Sequence, residues 1–248
     1  MNDTSPWLLC RRHRPTAPMR LYCLPHCGGS AGEYLFWSDH LPEFEVWGVQ
    51  SPGRGSRTGE TPYTSMTDLV RALVDEVEFT GPYVLFGHSL GAAVAYEVAV
   101  ELRARGRELP RHLYLSAHEA PHLHRQDASL LGLDTQALLA EVQDRHDPIP
   151  PELLEDPDWC AMLLDGLRAD LSVVATYQPA ESAALPMPIT AMGGTQDQLA
   201  DQDALAAWAA YTAGSFRLRM YPGHHFYLRE RLDDVLHHLT ADAARAAR

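Results

Sequence analysis

A chain of 248 residues, 46% hydrophobic and 21% charged, has the composition of a globular protein able to bury a sizeable core, and nothing in it resembles a disordered tract or a repeat array. Thirty-three acidic against twenty basic residues leave a formal net charge of -13, which argues against nucleic acid as a partner, because phosphate binding needs clustered Lys and Arg. No apolar run approaches the ~18 residues of a membrane span, and Arg11, Arg12 and Arg14 have no apolar stretch beside them, so neither a membrane anchor nor a signal peptide is expected and the chain reads as cytoplasmic.

Taken in order, Met19 to Leu24 (MRLYCL) and Phe44 to Val49 (FEVWGV) are short apolar runs that predict strands. Ser65 with Asp68 three residues on forms a capping pattern, and Leu69, Val70, Leu73, Val74 and Val77 follow at helical spacing. Tyr83 to Phe86 (YVLF) predicts a third strand. After Gly91 an almost wholly apolar stretch predicts a helix buried against a sheet, closed by Gly106. His112 to Ser116, Ile189 to Met192 and Phe216 to Tyr221 predict further strands, with helices around Ala204 to Ala210 and from Tyr227 onward. This alternation predicts one α/β domain over residues 1–248: a mostly parallel central sheet with helices on both faces. Residues 119–185 break it, with helical stretches but no strand. Pro148, Pro150 and Pro151 suggest a bend in their middle, and the segment is expected to form a helical lid over one end of the sheet. Trp159, Met162, Leu163 and Leu167 within it suit either an acyl channel or simple helix packing.

The strongest chemical signal is Gly87-His88-Ser89-Leu90-Gly91, placed between the YVLF strand and the buried helix. That context is the nucleophile elbow of α/β-hydrolases, where a serine on a strained strand-to-helix turn is presented at the carboxyl edge of the sheet. A serine nucleophile needs a base and an orienting acid, following in the order Ser, acid, His. Asp197, in the loop after the Ile189 strand, is the expected acid, with Asp201 as competitor nearer the next helix. His224 and His225 both follow the last strand, and their spacing alone leaves the base open between them. His88 is expected to pack beside the nucleophile. The transition-state oxyanion needs backbone donors: Leu90 N–H is one, and the loop Pro25 to Ser30 should give the other, Cys27 N–H. A catalytic thiol at Cys27 is the weaker reading, because no second base is evident for it.

The four cysteines form no CxxC pair, so neither a zinc site nor a disulfide framework is indicated. His118, His122 and His124 lie close together without an evident carboxylate or Cys to complete a ligand set, and read as solvated loop histidines; no metal is expected. Arg54 and Arg57 could form a local positive point, but pairing with nearby carboxylates is the better expectation.

Several separated motifs together resemble one family, the type II thioesterases that accompany modular polyketide synthases and nonribosomal peptide synthetases. Pro25-His26-Cys27-Gly28-Gly29 is similar to that family's PHAGG loop, Pro52-Gly53-Arg54 to its PGR segment and Gly87 to Gly91 to its GHSMG elbow. Arg168-Ala169-Asp170 with Tyr177 resembles its RADL...Y stretch, Gly193-Gly194 before Asp197 its GGxxD acid loop, and Gly223-His224-His225-Phe226-Tyr227 its GGHFF histidine loop. The resemblance implies His225 as base, and hydrolysis of acyl groups from the phosphopantetheine arm of acyl or peptidyl carrier proteins. It implies no cofactor beyond the phosphopantetheine that arrives on the substrate. Three departures stand out: Cys27 replaces an alanine, His224 a glycine, and Ser116-Ala117-His118-Glu119-Ala120-Pro121 stands where the family has SGRRAP, losing two arginines near the lid. An acyltransferase, cyclase or carboxylesterase could use the same three residues, since fold and triad do not choose the substrate. A non-catalytic binding protein fits poorly, because all three positions are filled. With an acidic chain and a carrier that is commonly acidic too, docking is expected to be weak and transient, and the protein a monomer.

Overall fold

The computed structural model describes residues 5–126, 128–145, 157–179 and 182–246, without the side chains of residues 142–145, 157–160, 162 and 243–246. Pro148, Pro150 and Pro151 and the side chains of Trp159 and Met162 lie outside the described residues.

Seven strands form one sheet: β1 (Leu8–Leu9), β2 (Met19–Leu24), β3 (Phe44–Val49), β4 (Tyr83–His88), β5 (Leu113–Ser116), β6 (Ile189–Gly194) and β7 (Phe216–Tyr221). Their order is β1-β3-β2-β4-β5-β6-β7, every neighbouring pair parallel except the antiparallel edge pair β1 and β3. The six predicted strands are present. β1 was not expected, because two residues carry no readable alternation. β4 and β6 each run two residues beyond the predicted apolar runs, since ladder pairing of Gly87 with Leu24 and of Gly194 with Tyr221 overrides the low strand preference of glycine.

Successive side chains feed opposite cores. Tyr22, Trp47, Leu85 and Leu115 join the cluster under α2 (Met66–Glu76) and α3 (Leu90–Ala104), whereas Leu21, Cys23, Val46 and Phe86 join the one under α1 (Gly32–Leu35) and the C-terminal helices. This period of two, apolar on both faces, is why the strands read as continuous hydrophobic runs. Ser65 caps α2, its Oγ accepting from the Asp68 N–H at 3.4 Å. Gly106, at φ 64°, ends the turn after α3. The expected helix around Ala204 to Ala210 is a short α6 (Gln202–Ala206) tightening into a 3-10 turn. The C-terminal helix is divided at Arg231 into α7 (Tyr227–Glu230) and α8 (Leu232–Ala246).

Between β5 and β6 the described chain is helical, with α4 (Thr135–Arg145) and α5 (Pro157–Thr176). Leu138, Leu164 and Leu167 are buried together, with Leu130, Leu133, Leu139, Leu171 and Cys27 packed around them. The lid thus rests on the loop after β2, at the carboxyl edge of the sheet. At the far edge, β7 carries Arg217 and Arg219, which reach the buried Asp242 of α8 at 2.9 and 3.6 Å. No helix among the described residues is long and apolar enough to cross a membrane.

His112, just before β5, stacks on Tyr114 and lies 2.8 Å from Thr190 Oγ1. Desolvation by burial lowers its pKa to about 4. A base depressed in the folded state binds fewer protons there than when unfolded. Its contribution is therefore complete above the unfolded value near 6.5 and is lost as pH falls toward 4. Unfolding free energy measured in denaturant is expected to fall from pH 7 to pH 4, and His112→Asn to reduce that loss by up to about 3 kcal/mol.

Candidate active site

Ser89 sits between β4 and α3 at φ 54°, ψ -123°. Non-glycine residues rarely adopt such a conformation, at a cost of about 1–3 kcal/mol. Neighbouring backbone holds it there: Ser89 N–H donates to the Ser116 carbonyl at 2.8 Å, and the Ser89 carbonyl accepts from Ala92 N–H at 2.8 Å. The flanking glycines are sterically required. A Cβ on Gly87 would come 2.0 Å from the Gly91 carbonyl oxygen, and one on Gly91 would come 2.1 Å from that of Leu24. Gly91→Ala is expected to destabilise the fold by about 1–3 kcal/mol or more, visible as a lower Tm in thermal denaturation.

His88 is buried. Its Nδ1 lies 2.8 Å from Ser116 Oγ, which lies 2.8 Å from the Tyr227 hydroxyl, so a buried polar chain joins the elbow, the end of β5 and the start of α7. The loop between β7 and α7 carries the next ring. His225 stands at the end of that loop, its ring centroid 5.3 Å from that of His88. Its Nδ1 is 2.9 Å from Asp197 Oδ2, and both side chains are almost fully buried. Asp197 Oδ1 accepts from the N–H groups of Leu199 and Ala200 at 2.9 and 3.3 Å, which fixes the carboxylate plane. The two alternatives occupy other places. His224 is exposed, with Nδ1 3.3 Å from the Gln196 carbonyl, and Asp201 caps α6 by accepting from Ala204 N–H at 2.8 Å.

The loop after β2 completes the site. Gly29 N–H closes a turn onto His26 O at 2.9 Å, and Gly28, at φ 74°, donates its N–H to Asp170 Oδ2 of α5 at 2.8 Å. Arg54 grips that carboxylate at 2.5 and 2.6 Å and also donates to the Gly29 carbonyl at 3.2 Å. One guanidinium–carboxylate pair therefore holds both the Gly28 N–H and the Gly29 carbonyl of the loop and joins it to the lid helix. Leu90 is the first residue of α3, where helix geometry leaves the N–H without an intrahelical acceptor. The Cys27 thiol packs among the lid leucines, and burial, reinforced by Asp170, raises its pKa far above the ordinary thiol value, which disfavours the nucleophilic thiolate.

Sequence reasoning missed the role of Asp170, although an acid inside the apolar stretch of a lid helix is the signal that exposes it. Arg54 and Arg57 are indeed committed to carboxylates, of Asp170 and Glu60. The reading of the clustered histidines as solvated holds for the exposed His122 and is corrected for the other two. Glu119 Oε1 lies 3.0 Å from His124 Nδ1 and supplies the missing carboxylate; His118 is buried rather than solvated, and the His124 side chain is only 4% exposed. His122 instead stacks on Tyr211. At the end of the lid, the Tyr177 hydroxyl donates to Glu97 of α3 at 2.5 Å.

A thioesterase domain model matches residues 19–243. The chain belongs to the thioesterase family. Thioesterase PikA5 of Streptomyces venezuelae is 36% identical over 237 residues, covering 94% of this chain and 84% of its own. RedJ, the thioesterase from the prodiginine biosynthetic pathway of Streptomyces coelicolor, superposes with a TM-score of 0.84 at 38% identity, over 92% of this chain and 86% of RedJ. YbtT, the type II thioesterase from the yersiniabactin NRPS/PKS biosynthetic pathway, superposes with a TM-score of 0.82 at 28% identity, over 95% and 96% of the two chains. The thioesterase assignment and the α/β-hydrolase fold agree with the reading of the sequence.

Removing one partner of a buried ion pair strands the other. Asp170→Ala is expected to cost about 3–5 kcal/mol in denaturant unfolding, and Asp170→Asn less, because the amide oxygen can still accept from Gly28 N–H.

Proposed function

We propose that this thioesterase hydrolyses acyl thioesters from the phosphopantetheine arm of acyl and peptidyl carrier proteins in polyketide and nonribosomal peptide assembly, with Ser89 as nucleophile, His225 as base and Asp197 as orienting acid. The observation that carries this reading is the buried 2.9 Å contact between His225 Nδ1 and Asp197, made beside the strained elbow of Ser89. A carboxylate only accepts, so it holds the proton on Nδ1 and leaves the Nε2 lone pair as the base.

In this mechanism Ser89 Oγ attacks the thioester carbonyl while its proton passes to His225. The N–H groups of Cys27 and Leu90 receive the oxyanion. Collapse of the tetrahedral intermediate breaks the C–S bond, and the pantetheine sulfur leaves with the proton from His225. Water, deprotonated by His225, then attacks the acyl-serine, and a second collapse returns the proton to Ser89 and frees the acid. Asp197 stabilises the imidazolium formed in each half-reaction. The chain needs no cofactor of its own, since the phosphopantetheine is part of the substrate. Docking on the carrier is transient, and the enzyme acts as a cytoplasmic monomer.

Carrier proteins loaded with acetyl, propionyl, longer acyl or aminoacyl groups should release free acid, followed by mass spectrometry. Ser89→Ala and His225→Ala should each lower kcat at least about 10³-fold, and Asp197→Asn about 10²–10⁴-fold. Turnover of oxygen esters with no release from any carrier would replace this reading with an esterase.

A further inference from the structure

His118, Glu119 and His124 lie outside the catalytic machinery, in the loop between β5 and the lid, and one donor atom from each lies within 4.8 Å of the other two. The orientation of the rings is more telling than their proximity. His118 Nδ1 lies 2.8 Å from the Glu119 carbonyl, and because a carbonyl only accepts, the proton sits on Nδ1. Its Nε2 keeps a lone pair, in a residue 8% exposed. His124 Nε2 lies 3.1 Å from the Val174 carbonyl of α5, which likewise fixes a proton there and turns Nδ1 toward Glu119 Oε1 at 3.0 Å. Each imidazole therefore spends one nitrogen on a backbone carbonyl and keeps the other for a second partner, the arrangement by which proteins orient metal-binding histidines.

We propose that His118, Glu119 and His124 bind a divalent transition-metal ion of zinc's class, joining the loop after β5 to the lid helix through the hydrogen bond of His124 to Val174. Two imidazoles and a carboxylate suit zinc, and three protein ligands leave a fourth position for water. Bonds of about 2.0–2.1 Å need ligand atoms about 3.3 Å apart in a tetrahedral site, so a modest tightening of the cluster suffices. Binding displaces the proton between His124 and Glu119, which takes the place of one ligand-to-metal bond. The Glu119 side chain is 25% exposed and gives the ion access from solvent. The site belongs to this chain in particular, because His118 and Glu119 stand where the family resemblance has two arginines.

A second cluster, Cys10, His13 and Glu45, is the competitor. There the carboxylate is already engaged, by Arg20 at 3.0 Å and by the Arg14 N–H at 3.0 Å. The test is calorimetric titration of the purified full-length protein with zinc chloride in a non-chelating buffer, comparing wild type with Glu119→Gln, His118→Asn and Cys10→Ser. Glu119→Gln preserves size, His118→Asn keeps a donor for the Glu119 carbonyl, and circular dichroism checks their fold. The expected result is one equivalent bound by wild type and by Cys10→Ser, weakened at least about 10-fold in the other two. Zinc at a hundredfold excess over Kd should also raise the wild-type Tm by about 5 °C or more. The proposal is overturned if wild type binds no zinc at millimolar concentration, if Glu119→Gln and His118→Asn bind as tightly as wild type, or if Cys10→Ser abolishes binding.

Discussion

The tightest constraint in this fold is the contact of backbone with backbone where β4 turns into α3. With Gly87 against Gly91, and Gly91 against Leu24, the helix start, its own strand and the neighbouring strand are separated by no side chain at all. Three consequences depend on that closeness. The helix axis points its unpaired N–H groups at the sheet edge, Ser89 is forced into a conformation that exposes its hydroxyl, and the loop leaving β2 is brought beside the helix start. The strain at Ser89 persists because the surrounding sheet fixes both ends of the turn.

A second level of organisation is electrostatic. Arg54 and Asp170 come from a loop after β3 and from the lid, 116 residues apart, yet they meet on the Gly28–Gly29 backbone. A buried pair of this kind offers little net stability over an apolar one, because both charges must leave water. Its value is geometric: the position of the lid helix and the orientation of the loop amides become one variable.

Much of this was legible in the chain. The strands announced themselves because both faces of the sheet are buried, which turns them into short apolar runs. The elbow was legible because its glycines and serine sit in an unambiguous strand-to-helix context. Asp197 was preferred to Asp201 because it follows the strand directly, whereas Asp201 lies four residues further, toward the next helix. The choice between His224 and His225 lay beyond local pattern, since two adjacent rings differ only in which way the backbone turns them, and the sequence resemblance had to decide it. Pairings between distant segments were illegible for a deeper reason. Neither Arg54 with Asp170 nor Tyr177 with Glu97 leaves a periodicity, because such contacts are set by how elements stack rather than by how they are spaced. Glu119 was overlooked beside His118 for a related reason: only the 3-10 turn at Pro121–Leu123 brings His124 back onto it.

The two margins of the sheet differ in how they end. One finishes in β1, too short at two residues to template a further strand. The other finishes in β7, where Arg217 and Arg219 project from alternate positions and are held by the buried Asp242. A sheet with largely apolar faces thus ends on a charged margin, a feature by which edge strands discourage further pairing.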